Sequence, residues 1–296
     1  MRIRFIQAIL DKIRIELDSL HPAPFKVFYI GGKNAGDIFN APLLKYFNIR
    51  YCKTRLSNAN LLCVGSILGS FVYPQNTKKP KHKSQKCIIA GAGFLETPHF
   101  EEKFSKDVTV LALRGKLSKE RLENMTNSKF ECTLADPGLL VSKVYPQNRD
   151  KKFKAGIIPH VMDKAIWDKN KIRLNKSDYT VIDIEQDVKG LVEKICECEV
   201  ILSSSLHGLI FSDSYNIPNR QLIISDKLIG GNYKFTDYYS SFDMELPESI
   251  DLRKTNIDET LLYEITRSYT DKSEMIKQKQ QDLINIYSDL DKYLRE

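Results

Sequence analysis

The fold of this chain is decided by the stretch VILSSSLHGLI, residues Val200–Ile210. The apolar residues at its start predict a buried strand, the serines predict a turn, and the residues that follow predict a helix. His207 and Gly208 then fall in the first turn of that helix. Unpaired backbone N–H groups and the positive end of the helix dipole gather at such a turn. The stretch therefore predicts a strand–helix unit with an anion site where the helix begins.

The same alternation of strands and helices extends along most of the chain. Alternation of this kind builds parallel sheets covered by helices. The polar segment 145–152 has the composition of a linker. We therefore expect an α/β protein of two Rossmann-like domains, 1–148 and 149–296, which face each other across a GT-B-like crevice. The second domain ends in a long amphipathic helix. The predicted strands are 26–30, 61–64, 87–90, 108–113, 155–158, 179–182, 200–202 and 221–224, and the predicted helices include 37–47, 116–124, 187–196 and 206–215.

Composition excludes several classes of protein. Of the 296 residues, 42% are hydrophobic and 28% are charged, which is typical of globular domains. No apolar run approaches the roughly 20 residues that span a bilayer, and charges interrupt the first 20 residues where a secretory signal would be apolar. The six cysteines form no CxxC pair, so we expect buried free thiols in a cytoplasmic protein, with neither disulfides nor a metal site.

The positive charge of the chain is concentrated in its first half. Residues 1–150 hold 24 Lys and Arg against 13 Asp and Glu, while the second half has a net charge of −4. This imbalance favours an anionic partner, although a solvated basic surface explains it equally well. Five lysines lie within 77–86, and residues 3–20 have apolar residues at helical spacing. Both segments suit a membrane surface at its inner face. Nucleic acid fits poorly because aromatic residues do not alternate with the lysines.

His207 is the first candidate for chemistry. Burial and the helix dipole favour the neutral imidazole, whereas a bound phosphate or carboxylate favours the protonated form. Its protonation would then depend on the substrate, as a general acid or base requires. The alternative is a histidine that caps its own helix, but the serines 203–205 are able to supply that cap.

Two candidates lie in the first half. Arg114 follows the predicted strand 108–113, and its planar fork suits a carboxylate or a phosphate. A salt bridge at the strand end is the equally open alternative. The segment Asn34-Ala35-Gly36-Asp37 follows the first predicted strand but lacks the GxGxxG and P-loop patterns. Asp37 would repel phosphate and suits a sugar hydroxyl better, as acceptor or base, with a simple helix N-cap as the leading alternative.

The second half adds His160, which follows the predicted strand 155–158. The segment 230–239 combines Lys234 with aromatic residues, among them Tyr238. We expect Lys234 to contact a ligand, and Tyr238 either stacks on a sugar ring or packs in the core. Asp183 and Glu185 resemble a metal-binding acidic pair only weakly, since they equally end a strand and begin a helix.

In their order and spacing, these short motifs resemble the polysaccharide pyruvyl transferase family. The resemblance covers roughly residues 31–242. Its matching pieces are NAGD at 34–37, GS at 65–66, GAG at 91–93, LR at 113–114 with Ser118, DP at 136–137, IPH at 158–160, SSSLHG at 203–208 and IP at 217–218.

This resemblance implies the transfer of pyruvate from phosphoenolpyruvate to sugar hydroxyls of a polysaccharide, with formation of a ketal. It implies no cofactor beyond the donor. Arg114 and His207 match family positions implicated in donor binding and catalysis. We therefore expect His207 to act as acid or base, Arg114 to clamp the anionic donor, and Asp37 or His160 to orient the acceptor. The remaining substrate contacts are expected from Asn34, Gly36, Ser204, Ser205, Gly208, Lys234 and Tyr238.

One position departs from the family pattern. Many members have SRLH where this chain has Ser204–His207, so Ser205 stands in the place of an arginine. Either Lys234 or Lys227 then supplies the missing charge, or the donor sits differently in the site. A GT-B-like glycosyltransferase that uses a nucleotide sugar and a non-catalytic subunit of a polysaccharide assembly complex stay open as other functions. A lipid-linked acceptor and a peripheral membrane contact also stay open.

Overall fold

The computed structural model describes residues 23–30, 34–80, 86–99, 101–169 and 178–294. The predicted helix over residues 3–20, the glycines at 31 and 32, and residues 81–85 of the lysine-rich segment lie outside this range.

The first half of the chain forms a six-stranded parallel sheet in the order β2-β1-β3-β5-β7-β8, beside an antiparallel pair, β4 with β6. The central strands are apolar and buried, as expected of strands with helices on both faces. The strands are β1 (Phe25–Val27), β2 (Tyr51–Lys53), β3 (Leu61–Leu62), β4 (Val72–Pro74), β5 (Lys86–Ala90), β6 (Glu102–Phe104), β7 (Asp107–Leu113) and β8 (Thr133–Leu134).

The second half forms a five-stranded parallel sheet in the order β10-β9-β11-β12-β13. Its strands are β9 (Phe153–Ile158), β10 (Tyr179–Val181), β11 (Cys198–Ser203), β12 (Asn219–Ile223) and β13 (Ile250–Asp251).

Helices connect the strands and cover the sheets. They are α1 (Ala35–Ile38), α2 (Asn40–Tyr46), α3 (Lys116–Thr126), α4 (Val141–Val144), α5 (Lys164–Lys169), α6 (Val188–Cys196), α7 (Leu206–Ser214), α8 (Tyr233–Ser240), α9 (Glu259–Ser268) and α10 (Ser273–Ser288), with 3-10 turns at Leu56–Asn58, Leu68–Phe71, Pro137–Leu140 and Leu290–Leu294.

The predicted alternation of strands and helices is confirmed. The observed elements differ from the predicted ones where a strand is very short or where a helix begins or ends. Strands β2 and β8, with three and two residues, are too short to show a hydrophobic period. Glu185 does not begin a helix, because Asp187 is the N-cap of α6 and its side chain accepts a hydrogen bond from the Gly190 amide. The C-terminal amphipathic helix is α10, and its last predicted residues lie in the 3-10 turn Leu290–Leu294.

Both sheets share one strand order, 2-1-3-4-5 by sequence, and the first adds a sixth strand at its edge. In such sheets the chain runs outward in opposite directions from the first strand. Ligands bind beyond the carboxyl ends of the strands at that switch point. The switch points lie between β1 and β3 in the first sheet and between β9 and β11 in the second. This topology selects the loops after these four strands as the place for a site.

The two halves are packed against each other through a shared core. The largest buried cluster contains residues of both sheets, such as Phe25 and Ile201. The C-terminal helix α10 crosses back to the first half, where the Tyr287 hydroxyl donates to the Ala90 carbonyl at 2.8 Å. The α/β class with parallel, Rossmann-like sheets is confirmed, and the division into domains at residues 148 and 149 stays a prediction.

Candidate active site

Both switch points contribute to one cavity. Asp37 follows β1, Ser66 follows β3, His160 follows β9 and His207 follows β11. These side chains and Lys234, from the start of α8, line a cavity of about 240 Å³. A wider groove of about 730 Å³ lies beside α2, but its described lining has neither a histidine nor a carboxylate. The smaller cavity is the candidate site because two histidines, a carboxylate and a buried ammonium group line it together, and the pKa values of all four are shifted.

The stretch that predicted the site folds as a tight turn between β11 and α7. The Ser203 hydroxyl lies 3.0 Å from the Ile158 carbonyl and accepts a hydrogen bond from the Ser205 amide at 3.0 Å. Ser205 is the N-cap of α7, yet its side chain makes no capping hydrogen bond. Among the described residues, the Leu206 and His207 amides have no acceptor. The expected serine cap is therefore absent, and the helix start keeps free donors for an anion.

His207 is almost fully buried at the helix start, with an exposed fraction of 8%. Burial, and then the positive charges of Arg114 and Lys234, lower the pKa of His207 to about 3. Its Nε2 atom is buried and has no hydrogen-bond partner in the described part of the chain. The imidazole is thus neutral when the site is empty, and a bound anion would raise its pKa.

The segment Asn34–Asp37 is positioned by the other half of the chain. The Ala35 amide donates to the Ile184 carbonyl at 2.9 Å, and the Asn34 side chain caps α1 by accepting from the Gly36 amide. Because Asn34 is the cap, the alternative that Asp37 merely caps the helix is wrong. Burial raises the pKa of Asp37 to about 6, against the opposing charges of Lys234 and Lys53. A carboxylate with this pKa is suited to act as a base near neutral pH.

Lys234 is buried in the wall of the cavity. Within the described residues its ammonium group donates no hydrogen bond and forms no ion pair, while the Phe235 ring lies 5.4 Å away. Burial, and then the Arg114 charge, lower the pKa of Lys234 to about 8, so the group remains mostly charged at neutral pH. Lys227, the other predicted substitute for the family arginine, is exposed and does not line the cavity.

His160 reaches the same cavity from the loop after β9. Its backbone amide donates to the Ser204 hydroxyl at 2.8 Å, and its Nδ1 accepts from the Met162 amide at 3.2 Å. Burial, and then the Lys234 charge, lower the pKa of His160 to about 4. A neutral imidazole that accepts at Nδ1 carries its proton on Nε2, so His160 serves as a neutral donor.

Arg114 lies behind the cavity and is itself 1% exposed. Its Nε and Nη2 each lie 2.9 Å from one carboxylate oxygen of Asp237, and Nη2 also donates to the Phe94 carbonyl. Its Nη1 donates to the Ser66 hydroxyl at 2.7 Å. The fork expected to hold a substrate anion is therefore occupied by Asp237, and the salt-bridge alternative is the one observed.

Four other predicted contacts, Gly36, Ser204, Gly208 and Tyr238, lie outside the lining of the cavity. The Ser204 hydroxyl accepts from the His160 amide. Gly208 packs so closely that a Cβ would lie 2.3 Å from Ser203 Oγ. Tyr238 is fully buried and its hydroxyl donates to Asp213 at 2.8 Å, which corrects the expectation that its ring stacks on a sugar. Gly36 is also a packing contact, because its Cβ would lie 2.0 Å from Nδ1 of His207.

Sequence reasoning missed an aliphatic rim around the charged site. Its residues are half exposed and come from three loops, and no Phe, Tyr or Trp occurs among the described residues that line the cavity. The sequence contained a signal for this rim, since Ile30 ends a predicted strand and the other two segments each follow one. The rim consists of Ile30, Val161, Met162 and Ile229.

Neither a metal cluster nor a membrane span is found in the part of the chain that the structure describes. No group of three or more His, Cys, Asp or Glu side chains there is arranged to hold a metal ion. The weak acidic pair, Asp183 and Glu185, instead binds the Lys164 ammonium at 2.7 and 3.2 Å. No helix among these residues is long and apolar enough to cross a bilayer.

Comparison with known proteins agrees with the motifs at the site. The sequence pattern of the family described as polysaccharide pyruvyl transferase matches residues 4–222, which include every cavity residue named so far except Ile229 and Lys234. This chain belongs to the polysaccharide pyruvyl transferase family. The resemblance found from the short motifs is thereby confirmed.

Two relatives show the range of the family. The uncharacterized protein L143 of Acanthamoeba polyphaga mimivirus is 30% identical over 229 residues, covering 74% of each chain. The succinoglycan biosynthesis protein ExoV of Rhizobium meliloti (strain 1021) is 23% identical over 179 residues, covering 60% of this chain and 52% of ExoV. Membership of the family makes this protein a transferase of polysaccharide biosynthesis.

Proposed function

We propose that this protein transfers pyruvate from phosphoenolpyruvate to hydroxyl groups of a sugar and forms a ketal. The observation that carries the proposal is one cavity in which a buried ammonium group and free helix amides face a carboxylate and a neutral imidazole. Phosphoenolpyruvate carries a phosphate and a carboxylate, so it needs cations and N–H donors. A sugar hydroxyl needs a base.

In the proposed binding mode, Lys234 and the Leu206 and His207 amides hold the anionic groups of the donor. The buried ammonium is a strong partner for an anion because little water competes with it. The Ser205 side chain lies beside these amides and leaves room where many family members have arginine. Lys234 supplies the positive charge in place of that arginine.

In the proposed reaction, the oxygen of a sugar hydroxyl bonds to C2 of the donor, and Asp37 accepts the proton of that hydroxyl. His207, protonated once the anionic donor is bound, gives its proton to the methylene carbon C3, which becomes a methyl group. A second hydroxyl of the sugar then bonds to C2 as the bond from C2 to the phosphate oxygen breaks. The departing phosphate takes the first proton from Asp37, and the carboxylate regenerated in this way accepts the proton of the second hydroxyl. Exchange with solvent afterwards restores the carboxylate of Asp37 and the proton of His207. His160 orients the acceptor or an oxygen of the donor through Nε2–H.

The matching strand order of the two sheets supports a GT-B-like arrangement, with residues 1–148 on the acceptor side and 149–296 on the donor side. The cavity is smaller than the roughly 300–1,000 Å³ of most drug-sized ligand sites, which favours a small donor over a nucleotide sugar. The aliphatic rim would contact the acceptor. A lipid-linked acceptor and a contact with the membrane stay predictions.

The proposal is tested with purified protein, phosphoenolpyruvate and a panel of sugar acceptors. We expect release of phosphate and, by mass spectrometry, one pyruvyl group added to an acceptor. His207→Gln and Asp37→Asn should each lower the rate at least about 100-fold, as loss of an acid or base does. Protection from thermal unfolding by UDP- or CMP-sugars and not by phosphoenolpyruvate would instead identify a glycosyltransferase. Full activity of both variants would refute the assigned roles.

A further inference from the structure

We infer that Ser66 contacts the anionic donor directly and that Arg114 acts through Ser66 as a positioning residue. This inference rests on the proposed function and assigns a binding role to a serine that the sequence motif GS at 65–66 contained without a role. It also changes the role of Arg114, whose guanidinium group does not line the cavity.

The hydrogen bonds of Ser66 leave its proton free for a ligand. Its hydroxyl oxygen accepts from Arg114 Nη1 at 2.7 Å, so the hydroxyl hydrogen points away from the guanidinium. In the described structure this hydrogen has no protein acceptor, and Ser66 lines the cavity together with Lys234 and His207. The geometry therefore directs a hydroxyl donor at the space where the proposed anion binds.

The guanidinium group strengthens this donor. A hydroxyl that accepts from a cation is polarised, and its own hydrogen bond to the next acceptor becomes stronger. The group is held rigidly, because Asp237 binds Nε and Nη2 and is itself bound by the Ser118 amide at 2.8 Å and the Ser118 hydroxyl at 2.6 Å. Hydrogen bonds thus connect Asp237 to Arg114 and Arg114 to Ser66, and the proposed contact extends this series from Ser66 to the ligand.

The backbone around Arg114 is built for this arrangement. A Cβ on Gly93 would lie 2.4 Å from the guanidinium carbon, and a Cβ on Gly115 would lie 1.7 Å from the Asp237 carbonyl oxygen. Only glycine at residue 115 allows the start of α3 and α8 to approach this closely. The pair is therefore fixed in one position, behind Ser66 and away from the ligand.

The test measures binding of phosphoenolpyruvate and of inorganic phosphate by thermal shift and by calorimetry. Ser66→Ala should weaken binding of phosphoenolpyruvate about 10- to 100-fold, the usual effect of losing a hydrogen bond to a charged group. Ser66→Thr keeps the hydroxyl and should retain most of the affinity. The matched control is Ser70→Ala, an exposed serine four residues along the same loop.

A double-mutant cycle separates positioning from direct contact. Arg114→Gln with Asp237→Asn removes the buried pair together and leaves no lone charge. If Arg114 acts through Ser66, adding Ser66→Ala to this background should cost less than about threefold, well below its cost in the wild type. Equal costs in both backgrounds would show that Arg114 acts independently and would overturn the positioning role. If the paired variant does not fold, the comparison of Ser66→Ala, Ser66→Thr and Ser70→Ala decides the contact by itself.

Failure of the inference and failure of the proposed function give different results. A wild-type protein that is stabilised by phosphoenolpyruvate, with Ser66→Ala stabilised equally, would refute the role of Ser66 alone. A wild-type protein that gains no stability from phosphoenolpyruvate or phosphate would refute the proposed donor, and the assignment of Ser66 with it.

Discussion

At the scale of single residues, burial moves the titratable groups of the cavity toward their neutral forms. It raises the pKa of Asp37 to about 6 and lowers that of Lys234 to about 8. It also lowers the pKa of His207 to about 3. Desolvation is the largest cause for each of them, and it disfavours whichever form is charged. The roles proposed for Asp37, Lys234 and His207 therefore all depend on the exclusion of water from this cavity.

The lowered pKa of Lys234 predicts that the affinity for phosphoenolpyruvate, the proposed donor, depends on pH. This pKa means that the ammonium charge is lost as the pH rises through about 8, well below the usual range for lysine. We expect the dissociation constant, measured by calorimetry between pH 6.5 and 9.5, to increase above about pH 8. Lys234→Arg, which keeps its charge throughout this range, should remove the increase.

Lys234→Met is the matching neutral variant, and it should bind weakly at every pH. A constant affinity of the wild type up to pH 9.5 would show that Lys234 does not bind the anion. Lys227→Met serves as the surface control, since Lys227 is exposed and does not line the cavity.

At the scale of elements, two short helices from opposite halves of the chain meet at His207. The α1 helix presents Gly36 to the imidazole, and the Ala35 amide ties α1 to the Ile184 carbonyl of the second half. The α7 helix holds His207 in its first turn. The position of the imidazole therefore depends on the absence of a side chain at residue 36.

Gly36→Ala is expected to displace the imidazole of His207. The new Cβ would lie 2.0 Å from Nδ1, so the ring or α1 must move. A displacement of about 1 Å is enough to lower kcat about 100-fold when it misplaces an acid or base. The measurement is kcat together with the melting temperature.

Gly69→Ala is the matched control, because no atom lies within 4 Å of a Cβ at that position. It should retain the wild-type kcat. A Gly36→Ala variant with full activity would show that His207 takes no part in the reaction or has another productive position.

At the scale of the whole molecule, one buried carboxylate joins three helices of the second half. Asp213 of α7 binds the Lys272 ammonium at 3.0 Å, next to the start of α10, and accepts from the hydroxyls of Tyr238 in α8 and of Tyr269. Asp213 is fully buried and Lys272 nearly so. Since α10 also contacts the first half, this cluster helps to fix the arrangement of both sheets around the cavity.

Lys272→Met should strongly destabilise the protein, because it leaves Asp213 as an uncompensated buried charge. Breaking a buried pair in this way costs about 3–5 kcal/mol in the free energy of unfolding. Denaturant titration measures the loss. Lys277→Met in the same helix removes only an exposed ion pair with Glu274 and should cost less than about 1 kcal/mol. Equal losses in the two variants would contradict the importance of the buried cluster.

The sequence located much of the site because the architecture is simple. Asp37, His160 and His207 were each predicted just beyond the end of a strand, and the ends of parallel strands share one edge of a sheet. Lys234 was chosen for its place among aromatic residues after the last predicted strand. All four line the cavity. Their chemical roles stay proposals, since position alone does not measure reactivity.

Long-range partners were beyond the reach of sequence patterns. Arg114 was predicted at the end of β7, but its partner Asp237 lies 123 residues further along the chain. Tyr238 occupies the same aromatic segment as Lys234, and the orientation of α8 turns its ring into the core and Lys234 toward the cavity. Ser66 was part of the GS motif at 65–66, but the motif gave it no chemical role, because its hydrogen-bond partner Arg114 lies 48 residues further along the chain.

The sequence by itself determined the α/β class, the family and the helix start at His207, because hydrophobic period, turn residues and short motifs are local properties of the chain. The tertiary structure alone decided which charges are neutralised and which face a ligand. That choice depends on burial and on contacts between residues far apart in sequence. Arg114 and Lys234 show the difference: both were predicted as cations of the site. Only the packed structure pairs the first with Asp237, while the second has no ion pair among the described residues.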